Sequence, residues 1–354
     1  FEVFTKYLST SQTIQVKVDG QRTTATPRPV GGTKPGSRLL YKVDLGSAAT
    51  RRITLETSYT PFGGVYVPAG STLTQSPNRP GRWIVLGDSI SGGSGQNSGA
   101  GAGTWVLRAG AYLGWGDTWN QSIGGTGYLD PGASVAIPAR AADDLASHAP
   151  DGVVLWAGYN DHTRSQSDLQ AAVRQTVTAI ATDAPDAQLF VVGPWSPTGA
   201  PPDTLVTTDA TLRSVAASEE IPFISPITGR VYDAAGQLVA RQRPWITGTG
   251  TIAAPVGDGN ADAYVGTDGV HPTDAGHAYL AQRMALAMEQ VGGLESAVDR
   301  RPPSVPGDVT AQVQDTSAEV TWEAATDNLG VTGYEIHRGE GSGFTPTTAN
   351  RVAQ

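Results

Sequence analysis

The chain has 354 residues, 39% of them hydrophobic and 16% charged, with a formal net charge of −9, 44 glycines, 24 prolines and no cysteine. That length accommodates two or three domains and a sizeable buried core. An acidic balance without a basic cluster argues against nucleic acid and anionic membrane surfaces as partners, the lack of cysteine excludes disulfides, thiolate metal sites and a cysteine nucleophile, and no apolar run reaches the roughly 18 residues of a membrane span.

Residues 1 to about 78 read as β. Thr13-Ile14-Gln15-Val16-Lys17-Val18, Leu40-Tyr41-Lys42-Val43-Asp44-Leu45 and Arg52-Ile53-Thr54-Leu55-Glu56 alternate with period two. Asp19-Gly20 is a turn signal after the first of them. This pattern predicts a small antiparallel β-sandwich of the jelly-roll kind, with its first strands expected ahead of Phe1. Ser76-Pro77-Asn78-Arg79-Pro80-Gly81 reads as a linker.

From 82 to about 292 apolar strands alternate with amphipathic helices, the signature of a parallel sheet. Strands are expected at about 82–87, 117–122, 152–157, 187–193 and 221–225, and helices near 102–114, 139–147, 167–184, 204–217 and 273–291. Ser167-Asp168 and Thr273-Asp274 supply N-cap chemistry for two of the helices. Five parallel strands with flanking helices make a three-layer α/β/α domain. From about 302 the character changes again, through the proline-rich junction Pro302-Pro303-Ser304-Val305-Pro306-Gly307 into two alternating strands around Trp322 and Tyr334.

The chemistry starts at Trp83-Ile84-Val85-Leu86-Gly87-Asp88-Ser89-Ile90, a buried strand that stops at a serine. Ligands of open α/β sheets bind beyond the carboxyl ends of the strands, so a serine at position 89 can be a nucleophile; Asp88-Ser89 merely capping the next helix is the alternative. A base is offered by Thr267-Asp268-Gly269-Val270-His271-Pro272, in which a loop can turn Asp268 and His271 to one side. One ring nitrogen would then be held by the carboxylate while the other faces a serine hydroxyl; a turn aspartate beside an exposed histidine is the alternative. Oxyanion donors are offered by Asn120-Gln121-Ser122-Ile123-Gly124-Gly125-Thr126-Gly127-Tyr128 and by Leu155-Trp156-Ala157-Gly158-Tyr159-Asn160-Asp161, each after a strand.

Together the four blocks, in this order and each at a strand-to-helix crossover, resemble the SGNH hydrolases, also called the GDSL family, over about residues 82–292. The nucleophile stands in Gly-Asp-Ser-Ile rather than in a Gly-x-Ser-x-Gly elbow, unlike an ordinary α/β-hydrolase. The resemblance implies a flavodoxin-like α/β/α fold, Ser89 as nucleophile, His271 as base and Asp268 as its partner. It implies an oxyanion hole made by the backbone N–H groups of Ser89 and Gly125 and by the Asn160 amide, with Gly124 one position away. The implied reaction is hydrolysis of a carboxylic ester in two acyl-transfer steps, without metal or cofactor.

The N-terminal sandwich resembles the jelly roll of two-domain carbohydrate esterases, and residues 302–354 resemble a partial fibronectin type III domain. These resemblances imply removal of O-acetyl groups from a polysaccharide or oligosaccharide by a secreted enzyme, with polysaccharide also bound through the accessory domains. A lipase or short-chain arylesterase and a non-catalytic glycan-binding protein are the alternatives. Tyr128, Tyr159, Trp195 and Trp245 are candidate sugar-contacting aromatics at strand ends, with packing in the core the alternative for each. The long loop 246–267 is expected to wall the cleft. Within it, Asp258-Gly259-Asn260-Ala261-Asp262 has oxygen ligands at alternate positions, which suits either a calcium loop or a plain turn. Phe1 is not an initiator, so a processed or trimmed chain is expected; scarce lysine with abundant Gly, Ser, Thr and Asn suits export.

Overall fold

A computed structural model of the chain describes residues 1–24, 26–74, 81–146, 148–291, 305–314, 317–325, 334–339, 344–347 and 350–353. Most of the expected linker 76–81, the start of the proline-rich junction (302–304) and the turn 326–330 lie outside the described residues. The chain divides into two compact units, Phe1–Ala297 and Val298–Gln354.

The first unit opens with seven strands: β1 (Glu2–Lys6), β2 (Thr13–Val18), β3 (Gln21–Arg22), β4 (Arg28–Pro29), β5 (Arg38–Lys42), β6 (Ile53–Ser58) and β7 (Phe62–Tyr66). They form two antiparallel sheets, β5-β1-β7 and a four-stranded sheet in which β2 pairs with β3, β4 and β6. Period-two alternation sends Val3 and Thr5 of β1 inward while Leu40 and Tyr66 of the neighbouring strands face solvent. The second sheet touches the α/β part around Gly99 and Gly101: Thr13 Oγ1 donates to the Gly99 carbonyl at 3.3 Å, Pro27 packs on Gly99, and Ser58 lies against Gly101.

The α/β part follows in the order β8 (Arg82–Gly87), α1 (Ser89–Gly92), a 3₁₀ turn (Ala100–Gly103), α2 (Trp105–Tyr112), β9 (Asp117–Asn120), α3 (Ile137–Leu145), β10 (Gly152–Trp156), α4 (Gln166–Asp183), β11 (Gln188–Val192), α5 (Asp203–Ser218), β12 (Phe223–Ser225), β13 (Arg230–Tyr232), β14 (Leu238–Arg241), α6 (Ala261–Tyr264) and α7 (Asp274–Val291). Its seven-stranded sheet has the order β14-β13-β12-β11-β10-β8-β9. The five strands β8 to β12 are parallel, and their spatial order is the 2-1-3-4-5 order of flavodoxin-like folds. β13 and β14 extend one edge as an antiparallel hairpin; they are short, charged at their ends, and were not among the expected strands.

Parallel strands are buried on both faces, so each carries two cores. Val85, Val154, Trp156 and Val192 point to the face covered by α2 and α7, where Trp105, Leu280 and Met284 pack. Ile84, Leu86, Val153, Leu155 and Val191 point to the face covered by α3, α4 and α5, with Ile137, Val173, Ile180 and Leu212. Each of these side chains contributes about 1.5–3 kcal/mol on burial.

The helices start where local chemistry directs. Ser165 caps α4 through the Asp168 N–H, and Thr273 caps α7 through the Gly276 N–H at 3.0 Å. The helix expected from 102 begins only at Trp105, because residues 100–103 form a 3₁₀ turn and Thr104 after it is extended, at φ −77° and ψ 179°.

In the second unit β15 (Gly307–Gln314) pairs antiparallel with β16 (Ser317–Glu323), and β17 (Ile336–His337) with β18 (Arg351–Ala353). Trp322 and Tyr334 pack with ring centroids 5.1 Å apart, and the Tyr334 hydroxyl accepts the Ala325 N–H at 2.7 Å.

Candidate active site

Strand order reverses between β8 and β10, since β9 lies on one side of β8 and β10, β11 and β12 on the other. A crevice opens outside the carboxyl ends at such a point. Ser89 follows β8 directly and Asn160 follows β10. Asp88 caps α1: its Oδ1 accepts the Ile90 N–H at 2.8 Å. The cap is made by Asp88 alone and leaves the Ser89 hydroxyl to other partners. The cap leaves Ser89 as the first helical residue, whose N–H has no acceptor within the helix and faces the anion-favouring end of the dipole. Burial pushes the Asp88 carboxyl up to about 7.

Asp268 and His271 are brought together by their own backbone. Asp268 Oδ1 accepts the N–H groups of Val270 (3.0 Å) and His271 (2.9 Å), while Oδ2 meets His271 Nδ1 at 2.7 Å. Gly269 adopts φ +70°, which the tight return of this loop requires. An ionised carboxylate only accepts, so Nδ1 carries the proton and Nε2 is free to accept. Nε2 lies 2.8 Å from Ser89 Oγ. Partial burial works against charge on Asp268, but the bonds from the His271 amide and ring and the Val270 amide outweigh it and hold the carboxyl below its ordinary range. The loop is propped from behind: Trp195 Nε1 donates to the Val270 carbonyl at 2.7 Å, and Gln96 Oε1 accepts from Thr267 N and Oγ1 at 2.8 and 2.9 Å.

The glycine-rich segment reaches Ser89 by continuing the β8–β9 ladder. Gln121 N donates to Val85 O and Ile123 N to Gly87 O, at 2.9 and 3.0 Å. Gly124 then packs against Ser89, with the position of its missing Cβ 3.5 Å from Ser89 Cβ, and Gly125 follows at φ +76°. Asn160 is half-buried and donates one amide hydrogen to Thr126 O at 2.8 Å, leaving the second free. His271 and Gly124 therefore meet Ser89 at the end of β8, and Asn160 is bound to Thr126, two residues after Gly124.

The candidate sugar-contacting aromatics divide. Tyr128, Trp195 and Trp245 are each 1% exposed and are corrected from surface to core. Tyr128 packs beneath the sheet face of α3, Trp195 supports the histidine loop, and Trp245 meets Trp156 edge-on. Apolar area at a strand end is as useful under a cleft as in it, and three of the four rings are used there. Tyr159 alone is half-buried, beside His162. In the 258–262 loop, Asp258 accepts from Thr249 N and Oγ1, Asn260 Oδ1 from Thr247 N, and Asp262 from Val256 N and Gly257 N. These oxygens are spent holding the loop, and among the described residues no group of three or more His, Cys, Asp or Glu side chains suits a metal ion. Two buried residues at the site went unread in the sequence: Asp161, with no exposed surface, and Arg140. A carboxylate closing an otherwise apolar strand end was the available signal for Asp161; Arg140 sits mid-helix and carried none.

Residues 85–279 match the GDSL-like lipase/acylhydrolase family. A GDSL lipase of Mycobacterium tuberculosis is 28% identical over 228 residues, 59% of this chain and 82% of that protein. Among solved structures, a family two carbohydrate esterase from Clostridium thermocellum in complex with cellohexaose superposes with a TM-score of 0.57 at 16% identity, covering 81% of this chain and 88% of that one. An acetyl xylan esterase from the rumen bacterium Butyrivibrio proteoclasticus superposes with a TM-score of 0.50 at 12% identity, covering 81% and 86%. These two likenesses are of fold.

Proposed function

The chain belongs to the GDSL-like lipase/acylhydrolase family, and on that footing we propose that it is a secreted serine esterase that removes O-acetyl groups from a polysaccharide or oligosaccharide. The observation that carries the catalytic part is the unbroken line from Asp268 Oδ2 through His271 to Ser89 Oγ, 2.7 and 2.8 Å long. In this reading His271 Nε2 takes the hydroxyl proton as Ser89 Oγ attacks the ester carbonyl. The oxyanion is held by the N–H groups of Ser89 and Gly125 and by the free amide hydrogen of Asn160. His271 returns the proton to the departing alcohol. Water, deprotonated by His271, then attacks the acyl-enzyme; the acid leaves and Ser89 regains its proton. Asp268 holds the imidazole tautomer throughout.

The glycan part is supported by the fold shared with two carbohydrate esterases, one of them an acetyl xylan esterase, and by the fibronectin type III resemblance behind the catalytic part. Tyr159, half-buried at the rim, is the remaining candidate for a sugar contact. The lipase reading is favoured by the mycobacterial relative. Ser89→Ala is expected to abolish p-nitrophenyl acetate hydrolysis with an unchanged melting curve; full activity in that variant refutes the assignment. Acetate release from acetylated xylan, set against p-nitrophenyl esters of increasing chain length, separates the two substrates: a rate that rises with chain length and no acetate release selects the lipase.

A further inference from the structure

Arg140 and Asp161 are buried ionisable side chains that no proton transfer above uses, and a buried charge is stabilised by the hydrogen bonds and ion pairs it makes. Asp161 accepts the N–H groups of Tyr128 (2.8 Å), Leu129 (2.9 Å) and Asp130 (3.0 Å). Gly127 packs so closely on this carboxylate that a Cβ there would collide with it. The preceding residue, Asn160, holds the Thr126 carbonyl. The loop after β10 thus grips residues 126–130 at four points. On the other flank Arg140, on α3 and 6% exposed, donates from one guanidinium nitrogen to Gln121 O at 2.7 Å and from another to Gly87 O at 3.1 Å, and pairs with Asp144. Gly87 is the last residue of the nucleophile's strand. Between the two anchors, at Gln121 and at 126–130, lie Gly124 and Gly125.

We propose that Arg140 and Asp161 are positioning residues for acyl transfer: together they brace both ends of the oxyanion glycine segment, tying one end to the nucleophile's strand and the other to the loop that carries Asn160. Hydrogen bonds to a charged partner are stronger than neutral ones, and the arginine fork spans two carbonyls that a lysine point charge cannot hold together. A hole held this way needs no reorganisation as charge develops on the substrate. The inference rests on the serine-esterase reading.

The test compares full-length Asp161→Asn, Arg140→Lys and Gly127→Ala with the parent protein on p-nitrophenyl acetate, each rate expressed per active site titrated with a chromogenic phosphonate. Displacing a hole by about 1 Å costs on the order of 100-fold. The expected result is a kcat lowered about 10- to 100-fold with KM within about threefold, and inhibition by a trifluoromethyl ketone, which forms the tetrahedral adduct, weakened by a similar factor. Arg140→Lys and Gly127→Ala keep the question answerable if Asp161→Asn does not fold. A kcat per titrated site within twofold of the parent, with an unchanged ketone affinity, overturns the brace: the charges then serve stability alone. A parent protein without esterase activity, or an active Ser89→Ala, overturns the serine reading and the brace with it.

Discussion

At the scale of the residue, the site depends on which atom of each side chain is already engaged. Asp268 spends one oxygen on two backbone N–H groups and the other on the imidazole, so its orientation is fixed from three directions. Asp268→Asn keeps the shape but can present an N–H to Nδ1 and invert the tautomer. It is expected to lower kcat about 10³- to 10⁴-fold with little effect on KM, measured on p-nitrophenyl acetate. Asp209 shows the opposite situation. It is 6% exposed on α5, bonded to Ser225 Oγ at 2.9 Å, and burial raises its carboxyl to about 7. A raised folded-state value means that stability is fully present below the unfolded carboxylate range, near 4, and is lost as pH rises through about 7. Asp209→Asn is therefore expected to flatten the fall in unfolding free energy between pH 4 and 8, by on the order of 2–4 kcal/mol, as read by urea denaturation. His277 runs the other way: burial lowers its ring to about 3, so its contribution is present above about 6.5 and is lost as the solution is acidified.

At the scale of the element, strands were more legible than the loops that carry function. The apolar runs expected as strands at 82–87 and 152–157 suit interior parallel strands, and in the structure Ile84-Val85-Leu86 and Val153-Val154-Leu155 alternate between the two cores. The hairpin β13–β14 was missed because three- and four-residue strands with arginine at their ends carry little periodic signal. The aromatics left two roles open for a related reason: a tryptophan at a strand end looks the same in sequence whether its ring contacts a ligand or packs in the core. Trp195 packs in the core, and its indole N–H supports the loop of the catalytic pair. Trp195→Phe keeps most of the ring but leaves the Val270 carbonyl without this donor. An unpaired acceptor of this kind costs about 1–3 kcal/mol. A melting point lowered by several degrees and a kcat reduced about tenfold are the expected outcomes, by calorimetry and initial rates.

At the scale of the whole molecule, the N-terminal sheets and the α/β sheet form one compact unit, and the last residues form another. The loop 94–103 lies between β2 on one side and the histidine loop on the other, through Thr13–Gly99, Gln96–Thr267 and the two bonds from Ser98 to Asp274. Removal of residues 298–354 is expected to leave p-nitrophenyl acetate hydrolysis within about twofold of the full chain. Removal of residues 1–74 is expected to lower both activity and thermal stability, because Gly99 and the segment around it lose their support. A fully active protein lacking residues 1–74 would show that this loop holds the histidine without help.

The layered α/β class and its five parallel strands were legible in the chain because burial pattern and turn chemistry are local, and Ser89, Gly125, Asn160, Asp268 and His271 were named through the family resemblance of four short blocks. Only the tertiary structure decided that Ser89 Oγ lies 2.8 Å from His271 Nε2, that three of four candidate aromatics are core, and that Arg140 and Asp161 grip the glycine segment. Those facts depend on which strand ends converge at the reversal between β8 and β10, and residues 182 positions apart carry no mark of their meeting until the sheet has formed.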